Sequence, residues 1–233
     1  MAARPIFIPV TDGKVYVKTQ FVTFKWFAGM SAAQKKKSVA SLHEASLQSV
    51  GVNSVLEISS KSEESLGIAL SAFNLKLNHP QTGNPLPLEC AFQGSKVFEE
   101  GGPYTDLFNM SPREAKRDPR LQSSGRLVAF RFDGEDWPLE PQTGFYDWLY
   151  INALIRQPQL AERLLDYSAF TDIEFNPDKS INCQAYSAAL YVSLSLRGLL
   201  RRAATDKKAF LAVLDQVLVS NARQDDSAQG SLF

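Results

Sequence analysis

Apolar and polar positions divide the chain into an N-terminal run of strands and a longer, mostly helical remainder. Pro5-Ile-Phe-Ile-Pro-Val10 and Val15–Phe24 are rich in β-branched and aromatic residues, and Thr11-Asp12-Gly13 between them is a turn signal. The S-x-x-Q spacing of Ser31 and Gln34 starts a helix, and Gly51 suits its left-handed cap. Leu56–Ser59 and Leu70–Leu77 read as short strands, the second followed by the turn cluster His79–Pro85. A helix is predicted over Leu88–Glu100, ended by Gly101-Gly102-Pro103. Another begins at Ser111, where Pro112 and Glu114 complete a capping box, and Pro119 stops it.

Arg126–Phe132 alternates as a strand that Asp133-Gly134 turns. From Phe145 onward Trp148, Leu149, Ile151 and Ile155 recur at helical spacing, and Leu160–Tyr167 continues after Pro158. Asp172–Phe175 is strand-like and leads through the loop Asn176–Ser180 into a long helix, Ile181–Arg202. A last helix carries Phe210, Leu211, Leu214, Val217 and Leu218 on one face. The pattern predicts an α+β, helix-dominated single domain. Residues 1–54 form a β–α extension packed on it, 55–220 the main domain, and 221–233 a disordered tail.

Composition narrows the class. The chain has 233 residues, 44% of them hydrophobic. It can bury roughly 70–75% of the surface its unfolded form exposes. No apolar run approaches about 18 residues, the length of a membrane span. Met1–Val10 lacks the apolar core and cleavage site of a secretory signal. Cys90 and Cys183 lie far apart and only His43 and His79 accompany them, so no metal or cofactor is implied. That pattern fits a reducing, cytoplasmic setting. The 25 basic and 25 acidic residues balance, which removes a global argument for nucleic acid but leaves room for a local basic face.

One helix carries candidate chemistry. At 100° per residue Glu89, Gln93, Lys96 and Glu100 fall within roughly 60° of one another. Leu88, Phe92, Cys90, Val97, Ala91 and Phe98 surround this narrow stripe, so it is expected to line a cavity. Burial raises a Glu pKa and lowers a Lys pKa, which brings an acid–base group and a neutral amine within reach of neutral pH. The same spacing also fits a solvated helix face with an idle pair. Arg113, Lys116, Arg117 and Arg120, joined in sequence by Arg126 and Arg131, form a basic set suited to phosphates. With Glu114 and Asp118 interleaved, the set equally fits a solvated face.

Leu70-Ser71-Ala72-Phe73, followed by Leu88-Glu89-Cys90-Ala91-Phe92-Gln93-Gly94-Ser95-Lys96, resembles the NADAR (YbiA-like) family, with its S-N-F segment and E-H-x-F-Q-x-x-K motif. Ala72 and Cys90 stand where that family usually has Asn and His. Glu114-Ala115-Lys116, Asp136-Trp137, the stretch Phe145–Leu165, Ile173–Asp178 and Asn182 continue the resemblance in order, over roughly residues 55 to 202. The N-terminal segment, Phe98–Tyr104 and Phe145–Tyr150 look most like the branch encoded beside DarT-type toxins. Its NADAR proteins are antitoxins that remove ADP-ribose from guanine in single-stranded DNA.

The resemblance therefore implies an N-glycosyl hydrolase. Such a reaction needs a proton for the leaving nitrogen and a nucleophile or charge to meet the anomeric carbon. By resemblance Lys96 forms a Schiff base with the opened ribose, Glu89 is the general acid/base and Asp178 a second carboxylate. Gln93, Ser71 and Asn182 hydrogen-bond ribose or diphosphate, and Phe73 and Trp137 stack on a base or wall the site. Arg113, Arg117 and Arg120 meet phosphates. Read as residues alone, Phe73 and Trp137 fit core packing, and Asp178 and Asn182 fit a turn or helix cap, equally well. The implied partners are ADP-ribosylated DNA and a cognate toxin, with no membrane. Hydrolysis of riboflavin-pathway ribosylamino-pyrimidines and non-catalytic toxin binding stand as the other readings.

Overall fold

The computed structural model describes residues 1–29, 31–217 and 222–223; Leu218 and most of the tail expected from residue 221 lie outside them. The chain is α+β and helix-dominated. It opens with β1 (Ala2–Pro9), β2 (Val17–Phe24), α1 (Ala32–Val50), β3 (Val55–Glu57) and α2 (Ser65–Ala69). Next come β4 (Lys76–Asn78), β5 (Pro85–Pro87), α3 (Leu88–Gly94), β6 (Lys96–Phe98), a 3-10 turn (Thr105–Asn109), α4 (Pro112–Arg117) and α5 (Arg120–Ser123). Then follow β7 (Leu127–Phe132), β8 (Glu135–Trp137), α6 (Gly144–Ile155), α7 (Pro158–Leu164), β9 (Ala169–Thr171), α8 (Gln184–Leu196), α9 (Leu200–Ala203) and α10 (Lys207–Leu214). The contacts group into two compact units: Met1–Ser71 with the residues from Pro158 onward, and Ala72–Gln157.

The first unit is built on a mixed sheet of order β2-β1-β9-β3, with β1 antiparallel to both neighbours and β9 parallel to β3. Strand alternation sends consecutive side chains to opposite faces. Ile6, Val22 and Phe24 thus pack with Val39 and Leu42 of α1 and with Ile173. Phe7 faces the other way, where its ring meets Phe175 at 6.4 Å and Tyr186 of α8 at 5.8 Å. Burying such side chains contributes about 1.5–3 kcal/mol each. The β1–β2 connection is held by the residue that caps α8. There the Arg197 guanidinium donates to the carbonyls of Val10, Asp12, Gly13 and Val15 at 2.9, 2.8, 3.2 and 2.5 Å. Helix α1 carries both expected caps: Ser31 Oγ accepts from the Gln34 N–H, and Gly51 closes it at φ 74°.

The second unit joins the β4–β5 hairpin to an antiparallel sheet of order β6-β7-β8. Asp133 and Gly134 turn β7 into β8 with φ of 51° and 77°, as the Asp-Gly pair predicts. An aromatic cluster fills its core: Phe130 stacks on Phe145 at 4.7 Å, and Trp137 lies 4.9 Å from Trp148. The capping box of α4 is complete, with Ser111 and Glu114 bonded reciprocally.

Several elements differ from expectation. The helix over 88–100 stops at Gly94, and Lys96–Phe98 is a strand paired with β7. Lys96-Val-Phe98 carries β-branched and aromatic side chains that find a ladder partner there. Leu70 caps α2 instead of opening a strand, and β4 begins only at Lys76. The strand expected at 172–175 lies at 169–171. The long helix breaks at Gly198, φ 69°, into α8 and α9.

Candidate active site

Helix α3 is short and every one of its residues is buried. Its first free N–H groups are satisfied by the preceding segment: Leu88 donates to the Leu75 carbonyl and Glu89 to the Ala72 carbonyl, both at 2.9 Å. These bonds bring Ala72-Phe73 against the start of the helix. Glu89 stands in the first turn, where the helix dipole favours a carboxylate, and it is 5% exposed. One turn on, Gln93 donates from Nε2 to Glu89 Oε1 at 2.9 Å. Gln93 is 7% exposed, and its Oε1 is buried without a hydrogen-bond partner among the described residues. Buried acceptors are rarely left so, and an orphan of this kind marks a place for a donor.

The chain leaves α3 through Gly94, where a Cβ would come within 2.5 Å of the Phe108 ring and 3.0 Å of the Tyr104 carbonyl oxygen. Only glycine lets the 3-10 turn approach so closely. Lys96 then enters β6 opposite Phe130. Its Nζ lies 4.9 Å from the centroid of the Phe92 ring, itself packed on Phe130 and Tyr146. Burial drives the Lys96 amine down to about 8; the Glu89 carboxylate opposes that shift and Lys116 adds to it. About a tenth of Lys96 is then neutral at pH 7. Glu89 and Lys96 act on each other although they no longer share a helix. The expected stripe is thus broken, and Glu100, its fourth member, is exposed beyond the helix.

Lys116 on α4 completes the group. Its Nζ is 3.7 Å from Glu89 Oε1 and 5.6 Å from the centroid of the Phe73 ring. Lys116 belongs both to the basic set and to the Glu114-Ala115-Lys116 segment of the resemblance, but neither assigns it a role at the site; it directly follows the fully buried Ala115. Within this unit Glu89, Gln93, Lys96 and Lys116 assemble, with Phe73, 37% exposed, beside Lys116.

Other expected residues of this unit make other contacts. Trp137 is 1% exposed and sits among Phe145 and Trp148, inside the aromatic core. Arg113 and Arg117 are exposed on α4. Arg120 belongs to α5, so the basic set does not share one helix. Its guanidinium is held by Asp106 at 2.6 Å and Asp118 at 2.8 Å and lies 4.4 Å from the Tyr104 ring centroid.

Three expected residues belong to the other unit. There Ser71 Oγ donates to the Ile68 carbonyl at 2.8 Å. Asp178 is exposed, its N–H donating to Asn176 Oδ1 at 3.0 Å. The Asn182 carbonyl accepts from Ser180 Oγ, and its Oδ1 is buried without a partner among the described residues.

That unit also holds two buried carboxylates no sequence pattern marked. Glu57 accepts from Ser59, Thr171 and the Ile173 N–H. Asp172 accepts from Gln184 and the Glu174 N–H. Burial and the neighbouring carboxylate push Asp172 up to about 8, and burial raises Glu57.

Among the described residues no helix is long and apolar enough to cross a membrane. A comparison with curated proteins found no match. The family model described as DarT1-associated NADAR antitoxin matches residues 2–224, and the chain belongs to that family.

Proposed function

We propose that this protein is an ADP-ribosyl glycosidase that removes ADP-ribose from guanine in single-stranded DNA and so reverses a DarT-type ADP-ribosyltransferase. Membership of the DarT1-associated antitoxins supports the pairing with a toxin. The observation that carries the chemistry is the lysine–carboxylate pair. Lys96, lowered to about 8, acts on a Glu89 that Gln93 holds by a hydrogen bond of 2.9 Å.

The chemistry follows from those groups. Opening the ribose puts a proton on the ring oxygen and leaves the anomeric carbon doubly bonded to the guanine nitrogen. The neutral Lys96 amine adds to that carbon, and Glu89 carries a proton to the guanine nitrogen, which leaves with the bonding pair. Water then adds to the Lys96 Schiff base and expels the amine, so one water is consumed and ADP-ribose and unmodified guanine are released. The free acceptor on Gln93 suits a ribose hydroxyl. Phe73, partly exposed beside Lys116, suits the face of a base. Asp178, Ser71 and Asn182 are assigned to substrate through the family resemblance, Asp178 as the second carboxylate.

The test is a single-stranded oligonucleotide carrying ADP-ribose on guanine, incubated with the wild-type protein, Lys96→Ala and Glu89→Ala. Release of ADP-ribose by wild type, lost in both folded variants, is expected. No release by folded wild type overturns the DNA reading, and the same assay on ribosylamino-pyrimidines then decides for the metabolite. Neutralisation of the toxin by both variants would instead favour binding without catalysis.

A further inference from the structure

We infer that Lys116 is a positioning residue of this site: its ammonium, anchored on Glu89 and lying over the Phe73 ring, is the second positive charge beside which Lys96 works. The inference rests on the glycosidase reading for its role but not for its test.

The geometry distinguishes this contact from an ordinary surface ion pair. Exposed pairs are worth little because water screens both partners. Here the side chain of Lys116 is 58% exposed but that of Glu89 only 7%, so the stem reaches inward to a carboxylate that is largely removed from water. The helix carrying it is fixed at both ends of its first turn. Pro112 and the Ser111–Glu114 capping box set its start, and Ala115, fully buried, seats the residue before Lys116. The ring of Phe73 offers the ammonium a second electrostatic contact at 5.6 Å.

Charge balance then gives Lys116 its function. Two lysines share one nearby carboxylate. If both were protonated, the cluster would hold a net positive charge in a partly desolvated place. The less exposed amine is the one that gives up its proton, which leaves Glu89 and Lys116 as a balanced pair and Lys96 as a nucleophile. Among the described residues the charges acting on Lys96 are these two, from α3 and α4. Helix α6, which also packs on α3, buries the titratable side chains Tyr146 and Asp147. Activation of an amine by a neighbouring cation is an established chemical device.

The direct test needs no substrate. Lys96 reactivity toward an acylating reagent is measured against pH by competitive labelling and mass spectrometry, in wild type, Lys116→Met and Lys116→Arg. The midpoint should lie near 8 in wild type. It should rise in Lys116→Met, which removes the cation, and stay in place in Lys116→Arg, which keeps it. The acid limb of kcat/KM for ADP-ribose release should move with it, so that the loss in Lys116→Met at pH 7 is recovered at higher pH. An unmoved midpoint in Lys116→Met overturns the inference, as does an equal shift in Lys116→Arg. A folded wild type that releases no ADP-ribose sinks the glycosidase reading, while the labelling still decides the role of Lys116.

Discussion

Gln93 and Glu89 stand one helical turn apart and share a hydrogen bond of 2.9 Å, while the other end of the same amide, Oε1, is a buried acceptor with no partner among the described residues. A side chain satisfied at one end and open at the other both orients the carboxylate and offers an acceptor to substrate. Gln93→Leu, close in volume, removes both. The expected loss in kcat/KM is about 10- to 100-fold, the range for a hydrogen bond to a charged group. The melting temperature should change little, since the buried unsatisfied atom goes while Glu89 loses its Nε2 donor. Single-turnover release of ADP-ribose and a thermal melt check both halves; unchanged turnover would mean that Oε1 meets no substrate.

Lys96 is expected to trade stability for activity. Its folded-state pKa of about 8 lies below the ordinary 10.5. The unfolded chain therefore binds the proton more tightly, and stability rises with pH between about 8 and 10.5. Below pH 8 the full penalty applies. Lys96→Met keeps the stem and removes the charge, so it should abolish ADP-ribose release yet gain about 1–3 kcal/mol at pH 7, a gain that fades from about pH 8 and is gone by about pH 10.5. Urea unfolding at pH 7 and pH 10.5 measures it. A variant less stable than wild type at pH 7 would show that Lys96 is held by contacts rather than strained by burial.

The local rules of capping and turn chemistry were legible in the chain, and those of chain termination less so. Ser111 and Glu114, Gly51, and Asp133-Gly134 each do what their residue types dictate, because caps and turns depend on neighbours in sequence. The end of α3 depends on Phe108 and the Tyr104 carbonyl, which press on Gly94 and are ten or more residues away in the chain. Periodicity cannot see that contact, and so it carried the helix to residue 100. The pairing of Glu89 with Gln93 survived the error, since both precede Gly94, and Lys96 still acts on Glu89 from the strand. Glu57 was invisible for a different reason. A carboxylate in a short apolar strand gives no sign that Ser59, Thr171 and the Ile173 N–H will surround it.

The basic residues separate into two kinds. Arg113 and Arg117 are exposed on α4. Arg120 is committed to Asp106 and Asp118. A phosphate-contacting cation changes the salt dependence of DNA binding, whereas a structural one changes the fold. Arg113→Ala/Arg117→Ala should lower the slope of log K against log salt by up to ~1.4 on a single-stranded oligonucleotide, with an unchanged melting temperature. Arg120→Ala should leave that slope alone and lower the melting temperature, because it frees two carboxylates that face each other across the guanidinium. Fluorescence anisotropy at several salt concentrations separates them; an unchanged slope in the double variant would return Arg113 and Arg117 to a merely solvated face.

The buried carboxylates of the first unit predict how the fold responds to pH. Asp172, pushed up to about 8 by burial and by Glu57, binds its proton more tightly folded than unfolded. Its protonated form is therefore the one the fold favours, and stability is lost as pH rises from about 4 through 8. His43 works in the opposite sense. Its ring, bonded to Thr171 at 2.9 Å, is lowered by burial to about 4, so its contribution grows between pH 4 and 6.5 and is constant above. The two effects oppose each other below pH 6.5, and between 6.5 and 8 the Asp172 limb stands uncovered. Wild type should lose about 1–2 kcal/mol across that interval, and Asp172→Asn less, with any remaining slope belonging to Glu57, which burial also raises. The slope is the readout rather than the absolute stability, since the variant also disturbs the bond from Gln184 Nε2 at 3.0 Å. Chemical unfolding at pH 6.5, 7.2 and 8 gives it directly. Equal slopes in the two proteins would mean that Asp172 is already ionised at pH 6.5 and that Gln184 and the Glu174 N–H suffice to hold the charge in the core.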